Sequence, residues 1–275
     1  MGPIAPGKAD LAHAAARIRT VGEETMFSSV LTPRVSAVGQ VPVAISPVLP
    51  EVTLARTRLE LMEAFRLLYD SYVRAGLVTE NRRKLRLTPF HLLDTTEVFV
   101  AKWRGEVIAT MTVVADGPQG LPMDAMYGDE VAHFREAGLR LAEVGCFADR
   151  RGMEPPFLKV IGELAKLVVQ VASARGADGL VAATHPRHAR FYIRALGFQQ
   201  FAGLKECPYA QGNPAVALVQ NFEKLRETAV HERLFGTEFP PEKLMRTSWD
   251  LATRRYLRSL AEPFRTEPRP VRTPT

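Results

Sequence analysis

The stretch from Leu180 to Phe198, LVAATHPRHARFYIRALGF, constrains the fold more than any other part of the chain. It opens with a short apolar run, Leu180–Ala183, whose length suits a buried strand. Pro186 then ends the strand, because proline cannot donate a ladder hydrogen bond. The residues that follow have helical spacing and end at Gly197, where a helix-terminating glycine belongs. The stretch therefore predicts a strand, a turn and a helix, with polar side chains at the strand's carboxyl end, where open α/β sheets bind ligands.

The hydrophobic pattern between residues 51 and 222 predicts the element order β-α-β-β-α-β-α-β-α-β-β. It includes a hairpin across the tight-turn pair Arg104-Gly105 and an apolar helix, Phe157–Ala174, that should be buried. Pattern alone supports an α/β fold with a mixed sheet or an α+β fold. Two further helices, Glu223–Phe235 and Pro241–Leu260, are predicted to form a C-terminal appendix.

Composition divides the 275-residue chain into four parts. Residues 1–50 form an extension and linker, with a helix at Asp10–Arg19 and a strand near Val41–Ile45. Residues 51–222 form the main domain, residues 223–262 the C-terminal helices, and residues 263–275, rich in proline and charge, a disordered tail.

Charge and cysteine content exclude several classes of protein. Two cysteines do not make a disulfide framework, and neither a secretory signal nor a membrane-spanning run is evident, so a cytoplasmic location is expected. The formal charge of +6 comes without a nucleic-acid recognition motif, so no nucleic-acid partner is expected. The charge run Glu80–Arg86 is either a solvated loop or a contact for an acidic carrier. Arg254, Arg255 and Arg258 are either a solvated face or a peripheral membrane or subunit contact.

Five short motifs follow one another along the chain: Val98-Phe99-Val100-Ala101, Gly120-Leu121-Pro122-Met123-Asp124, Leu141-Ala142-Glu143-Val144, His185-Pro186-Arg187-His188 and Asn213-Pro214-Ala215-Val216-Ala217-Leu218. In order and spacing they resemble the FeeM-type N-acyl amino acid synthases of the GNAT superfamily, which are related to the LuxI-type acyl-homoserine lactone synthases. The resemblance covers Val52–Phe222 and implies a GNAT-like acyltransferase fold. It also implies transfer of a long acyl chain from acyl carrier protein to the amine of an amino acid.

Glu143 is the candidate general base for such a transfer. The attacking nitrogen must be unprotonated, and a carboxylate in an otherwise apolar strand has its pKa raised toward a useful value. Glu143 also matches the proposed base in the "E-x-S-R" strand motif of LuxI-type synthases. A solvated position, or an ion pair with Arg140, is the structural alternative.

The chain departs from that motif after the glutamate, since Gly145 and Cys146 stand where the family has serine and arginine. The arginine's role is either unfilled or moved to Arg140 or Arg150. Gly145 could instead mark a bulge that turns a backbone N–H toward the thioester oxygen. Cys146 is expected to be a small buried hydrophobic residue, not a nucleophile.

The loop Asp149–Pro156 also differs from the glycine-rich pyrophosphate loop of GNAT enzymes that use coenzyme A. Pro155 and Pro156 lack N–H donors, and Glu154 adds negative charge. The expected co-substrate is therefore an acyl-phosphopantetheine thioester, with no other cofactor. Arg150 or Arg151 would hold its phosphodiester, unless both are solvated.

The resemblance also implies that Tyr192 protonates the leaving thiolate, although a tyrosine at helical spacing more often packs in the core. Arg187 could pair with the amino acid's carboxylate or be a surface residue, and His188 could bind the same carboxylate or order the turn. Phe147 and Phe191 are candidates for lining the acyl slot, or ordinary core residues. The histidines lack a carboxylate at metal-ligand spacing, so no metal is expected.

The sequence thus predicts an acyltransferase that uses acyl carrier protein and an amino acid. Two alternatives remain: an acetyl-coenzyme A-dependent N-acetyltransferase, and a non-catalytic module that binds an acyl carrier or a lipid.

Overall fold

A seven-stranded mixed sheet organises the residues that the computed structural model describes, 49–261 without residues 151, 153, 154 and 247. The strands are β1 Glu51–Leu54, β2 Thr96–Trp103, β3 Glu106–Ala115, β4 Leu141–Asp149, β5 Gly179–Thr184, β6 Gln199–Cys207 and β7 Asn213–Asn221. Their order across the sheet is β1-β2-β3-β4-β5-β7-β6. Every neighbouring pair is antiparallel except β4 and β5, which are parallel.

The helices that connect and follow the strands are α1 Arg58–Arg74, α2 Asp124–Glu136, α3 Phe157–Ala174, α4 Pro186–Leu196, α5 Phe222–Leu225, α6 Ala229–Phe235, α7 Pro241–Leu244 and α8 Leu251–Leu260. The predicted order of eleven elements up to β7 is present, so the mixed-sheet α/β fold class is confirmed. The hairpin turn also forms as predicted, with positive φ at both Arg104 (52°) and Gly105 (86°), the combination that a type I′ turn requires.

Among its described residues, the C-terminal appendix contains four short helices, not the two predicted. Pro241 begins α7 at a first-turn position, where the missing N–H costs nothing. The chain then leaves the helix after Leu244, and Asp250 begins α8 by accepting a hydrogen bond from the Thr253 N–H at 2.6 Å. The predicted helix Asp10–Arg19, the strand near Val41–Ile45 and the tail 263–275 lie outside the described residues.

Helices cover both faces of the sheet, and the alternation of side chains along β4 shows which residue faces which layer. Ala142 and Val144 pack into the apolar cluster of α3 and α4. Leu141 packs into a second cluster with residues at the start of α2. Successive strand residues point to opposite faces, so Glu143 lies on the α2 side with Leu141.

The parallel pair β4 and β5 separates early. Their pairing covers only three positions, Leu141 with Gly179, Ala142 with Leu180 and Glu143 with Val181. β4 continues to Asp149 and pairs with β3 alone. The sheet therefore forks immediately after Glu143, and the open side of the fork faces the carboxyl ends of both strands.

Helix α3 anchors the C-terminal segment to the domain. The Arg175 guanidinium, just past the end of α3, pairs with the buried Glu97 carboxylate through two N–H groups and donates to the Leu244 carbonyl at 3.0 Å. Gln170 donates to the carbonyls of Leu234 and Thr237 at 2.8 and 2.9 Å. These polar contacts fix the segment around α6 and α7 against α3.

Breaking the Arg175–Glu97 pair should destabilise the protein strongly. In Arg175→Gln the Glu97 carboxyl group, which is 8% exposed, loses its partner and stays buried, which should lower the free energy of unfolding by about 3–5 kcal/mol. Urea unfolding would measure it. Arg150→Gln is the matched control, because its ion pair with Glu106 is exposed and should contribute at most about 1 kcal/mol. Equal losses for the two variants would contradict a special role of the buried pair.

Candidate active site

Glu143 is a buried carboxylate at the point where the sheet forks. It is 9% exposed, and its Oε2 accepts a hydrogen bond of 2.6 Å from the backbone N–H of Met123. Burial raises the pKa of Glu143 to about 8, and the nearby Asp124 raises it further, against the lowering effect of the Met123 hydrogen bond. A carboxyl group that titrates near neutral pH can accept a proton during catalysis. The alternative pairing with Arg140 is not formed.

The start of α2 explains why a backbone N–H is available to Glu143. Met123 is the residue before the helix, and the first N–H groups of a helix have no partner within it. The preceding turn is fixed by Asp124, which accepts from the Leu121 N–H at 2.8 Å and from Arg135 at 2.7 Å. The GLPMD segment therefore positions a donor for the glutamate.

A bulge in β4 follows Glu143 by two residues. Thr112 pairs with Gly145 and Thr110 with Ala148, so β4 carries one more residue than β3 there. Cys146 has a φ of 51°, which places the left-handed conformation at the cysteine and not at Gly145. Burial raises the pKa of the Cys146 thiol to about 11, which keeps it protonated and unsuited to nucleophilic attack near neutral pH.

Tyr192 of α4 lies beside the strand that carries Glu143. Its side chain lines an apolar cavity together with Val144 and Gly145, the two residues that follow Glu143 on β4. Burial raises the pKa of Tyr72 on α1 well above its usual value. The two predicted site residues Glu143 and Tyr192 therefore both lie at the start of the fork.

Aromatic side chains form one wall of the fork on the α3 and α4 side. Neighbouring rings in the series Phe147, Phe157, Phe191, Tyr192 and Phe198 have centroids 5.6–6.2 Å apart. Beneath them is an apolar cavity of about 30 Å³ whose lining includes Phe147 and Tyr192. Phe147 and Phe191 therefore lie on one wall, bridged by Phe157, which the sequence did not single out. The cavity itself has room for about one water and must widen to admit an acyl chain.

The arginines considered as replacements for the missing family arginine lie away from Glu143. Arg140 precedes β4 and pairs with Asp178, and Arg150 follows β4 and pairs with Glu106 at 2.6 Å. Arg151 lies outside the described residues, so its predicted role in holding a phosphodiester stays a prediction, as does that of Arg150.

Arg187 and His188 are exposed at the start of α4. The Arg187 Nε donates to the His188 Nε2 at 3.1 Å, and His185 caps the helix by accepting from the Arg187 N–H at 3.2 Å. Helix α4 packs with α3 on the face opposite Glu143. The structure thus places both residues at the fork's outer rim, and their substrate-binding roles stay predictions.

Arg86 is a candidate site residue that the sequence did not reveal. The run Glu80–Arg86 is exposed at Arg82, Arg83 and Lys84, as a solvated loop would be, but Arg86 turns inward. Its guanidinium donates to the Tyr209 carbonyl at 2.8 Å and lies 5.8 Å from the centre of the Tyr72 ring. The sequence does hold one indication of this: Arg86 stands between two leucines, Leu85 and Leu87, and both are buried.

The remaining predictions concern the C-terminal arginines, a membrane contact and a metal site. Arg254 pairs with Asp94, while Arg255 and Arg258 are exposed. Within the described ranges no helix is long and apolar enough to span a membrane, and no three His, Cys, Asp or Glu side chains cluster in a way that could hold a metal ion.

The sheet order, the fork after the third pair of β4 and β5, and the bulge beside it are the architecture of a GNAT-like acyltransferase. The sequence model of the FeeM N-acyl amino acid synthases matches residues 63–221, more than half of the chain. The chain therefore belongs to the FeeM N-acyl amino acid synthase family, as the motifs indicated, and is an N-acyltransferase of that type.

Two solved structures illustrate the similarity. FeeM, an N-acyl amino acid synthase from uncultured soil microbes, is 26% identical with a TM-score of 0.55, over 62% of this chain and 91% of that chain. The acyl-homoserine lactone synthase LasI is 16% identical with a TM-score of 0.53, over 70% and 96%, and shares the fold. None of the curated proteins compared with the chain matches it.

Replacing Glu143 should reveal its raised pKa in the pH dependence of stability. A carboxyl group with a pKa near 8 when folded and 4.5 when unfolded binds its proton more tightly in the folded state, so its contribution to stability is lost as pH rises from about 4.5 to 8. Glu143→Gln should therefore become progressively more stable than the wild type over this range, by on the order of a few kcal/mol at about 1.4 kcal/mol per pKa unit, and show no further gain above it.

Urea unfolding at intervals of one pH unit measures this difference. Glu206→Gln removes the same charge from an exposed position on β6 and should leave the pH profile unchanged. A parallel profile for Glu143→Gln and wild type would mean that Glu143 titrates normally.

Proposed function

We propose that the protein joins a long-chain acyl group, carried as a thioester on acyl carrier protein, to the amine of an amino acid. The observation that carries the proposal is the buried Glu143 carboxyl group with a pKa near 8 at the fork of β4 and β5. Membership of the FeeM family supports the reaction class. The structural neighbour FeeM is an N-acyl amino acid synthase, which supports an amino acid as acceptor.

Glu143 in its ionised form takes the proton from the attacking nitrogen. The nitrogen forms a bond to the thioester carbonyl carbon, and the carbonyl oxygen becomes an oxyanion. A backbone N–H of the β4 bulge is assigned to that oxyanion, because a bulge leaves one residue outside the ladder. The carbon–sulfur bond then breaks, and the thiolate leaves as the thiol.

Tyr192 is assigned the proton for the thiolate. It lines the cavity next to Phe147, and burial keeps its pKa above the ordinary value, so the phenol carries its proton at neutral pH. The aromatic wall that contains Phe191 guides the acyl chain, and separation of α3 from α4 opens the slot.

The surface around the fork favours a carrier protein over free coenzyme A as donor. Helix α4 exposes Arg187, Arg190 and Arg194 and contains no acidic residue. Such a rim attracts an acidic carrier through long-range electrostatics. Pro156 immediately precedes α3 and has no N–H to offer a pyrophosphate.

Purified protein with acyl carrier protein thioesters and the twenty amino acids should release thiol and form an N-acyl amino acid, detected by mass spectrometry. We expect kcat/KM for the carrier-bound donor to fall as salt rises from about 50 to 500 mM, since screening weakens the attraction to the arginine rim. The same acyl group on free pantetheine is the control and should be insensitive to salt. Faster transfer from acyl-coenzyme A would instead favour an N-acetyltransferase-like donor. Binding of the thioester without turnover would favour a non-catalytic module.

The rate of acyl transfer should increase with pH up to about 8, because only the ionised Glu143 can accept the proton. The single-turnover rate of Glu143→Gln should be about 100-fold or more below that of wild type, and this rate should no longer increase with pH up to about 8. Glu206→Gln is the charge-matched control and should behave as wild type. Retention of the wild-type rate by Glu143→Gln would show that another group is the base.

A further inference from the structure

Arg86 is a partly buried cation held in place by three separate contacts. Its backbone N–H donates to the Phe65 carbonyl of α1 at 3.1 Å, its guanidinium donates to the Tyr209 carbonyl at 2.8 Å, and the same guanidinium faces the Tyr72 ring. The buried leucines on either side, Leu85 and Leu87, prevent the loop segment from rotating outward. The guanidinium is thus fixed beside the fork, while Arg82 on the same loop is exposed.

The guanidinium has unused hydrogen-bonding capacity. Its Nε is fully buried and has no acceptor among the described residues, and Arg86 takes part in none of their ion pairs. A buried N–H without an acceptor and a cation without a counter-charge are both costly, so such groups normally have a partner. The described part of the chain supplies neither an acceptor for the Nε nor a counter-charge, so the guanidinium is free to bind an anionic ligand.

The neighbours of Arg86 are uncharged near neutral pH. Burial, and then the Arg86 charge, lower the pKa of His91 to about 3, so its imidazole is neutral. Burial keeps the Cys146 and Cys207 thiols and the Tyr72 phenol protonated. Arg86 therefore presents a positive charge to a neutral, weakly hydrated surrounding, where its attraction for a carboxylate is strong.

A chain of contacts places Arg86 on the same face of the sheet as Glu143. The Arg86 backbone N–H donates to Phe65, whose ring lies 5.0 Å from that of His91, and His91 bonds to Thr112 of β3 at 3.3 Å. Thr112 lies two positions before the β3 partner of Glu143 and so faces the same side. An α-amino acid carries its amine and its carboxylate on one carbon. Such a molecule can therefore offer its nitrogen to Glu143 and its carboxylate to a cation on the same side of the sheet.

We propose that Arg86 binds the carboxylate of the acceptor amino acid and thereby selects α-amino acids over other amines. The inference rests on the proposed function and deepens it. The Nε and a terminal N–H of the guanidinium form the donor pair, which matches the two carboxylate oxygens. In this proposal Arg86, and not Arg187 as the sequence had suggested, pairs with the carboxylate of the amino acid.

The test compares amino acids with their α-amides, which keep the amine and lose the negative charge. Each of the twenty amino acids, and the amide of each that is acylated, is assayed with wild type, Arg86→Gln, Arg86→Lys and the control Arg82→Gln. We expect Arg86→Gln to raise KM for the amino acids about 30-fold or more and to leave KM for the amides within about twofold. Arg86→Lys should recover part of the affinity, since lysine restores the positive charge without the paired N–H donors of a guanidinium group. Arg82→Gln should match wild type.

An equal loss for acids and amides would overturn the proposal, because Arg86 would then act on the acyl group or on folding. Unchanged KM for the acids would overturn it as well. Calorimetric binding of the amino acids to the Glu143→Gln variant, with and without Arg86→Gln, gives a readout that does not depend on turnover. If wild type transfers no acyl group, the proposed function fails, but loss of this binding on removal of Arg86 alone would still support the carboxylate site, and its persistence would refute it.

Discussion

The separation of β4 from β5 is the constraint on which the rest of the molecule depends. Parallel strands normally stay paired because each buried N–H and C=O needs a partner. Here the pairing ends at Glu143 and Val181, and the sheet survives because β3 supports β4 and β7 supports β5 on the outer sides. The fork creates a gap in the middle of a sheet whose margins remain rigid. A carboxyl group such as that of Glu143 can therefore be buried in the core and still adjoin an opening.

The pKa of Glu143 results from opposing effects. Removal from water and the nearby Asp124 disfavour the charged carboxylate, whereas the Met123 N–H at the start of α2 favours it. With burial alone, the carboxyl group would stay protonated near neutral pH. With several hydrogen-bond donors, its pKa would be low and the carboxylate would be too weak a base to take a proton from an amine. One hydrogen bond in an apolar setting leaves it between these limits.

The sequence predicted those features that local chemistry decides. The stretch Leu180–Phe198 forms the expected strand, turn and helix, because Pro186 and Gly197 act on their immediate neighbours. The burial of Glu143 could be predicted because its neighbours along the strand are apolar. Arg86 could not be predicted in the same way, since Tyr72 and Tyr209, which surround it, are distant in sequence. The left-handed backbone conformation of Cys146 was also missed. Glycine is the usual residue for that conformation, so the bulge was expected at Gly145, one residue before its actual position.

The attachment of the C-terminal segment to α3 has a consequence for how such enzymes diversify. Helix α3 lines the apolar cavity and is held from behind by Arg175 and Gln170, whose partners include backbone atoms of Leu234 and Leu244. These partners lie beyond residue 221, where the match to the family ends. A substitution in this segment can therefore shift α3, and with it the shape of the cavity, while every residue near Glu143 stays the same.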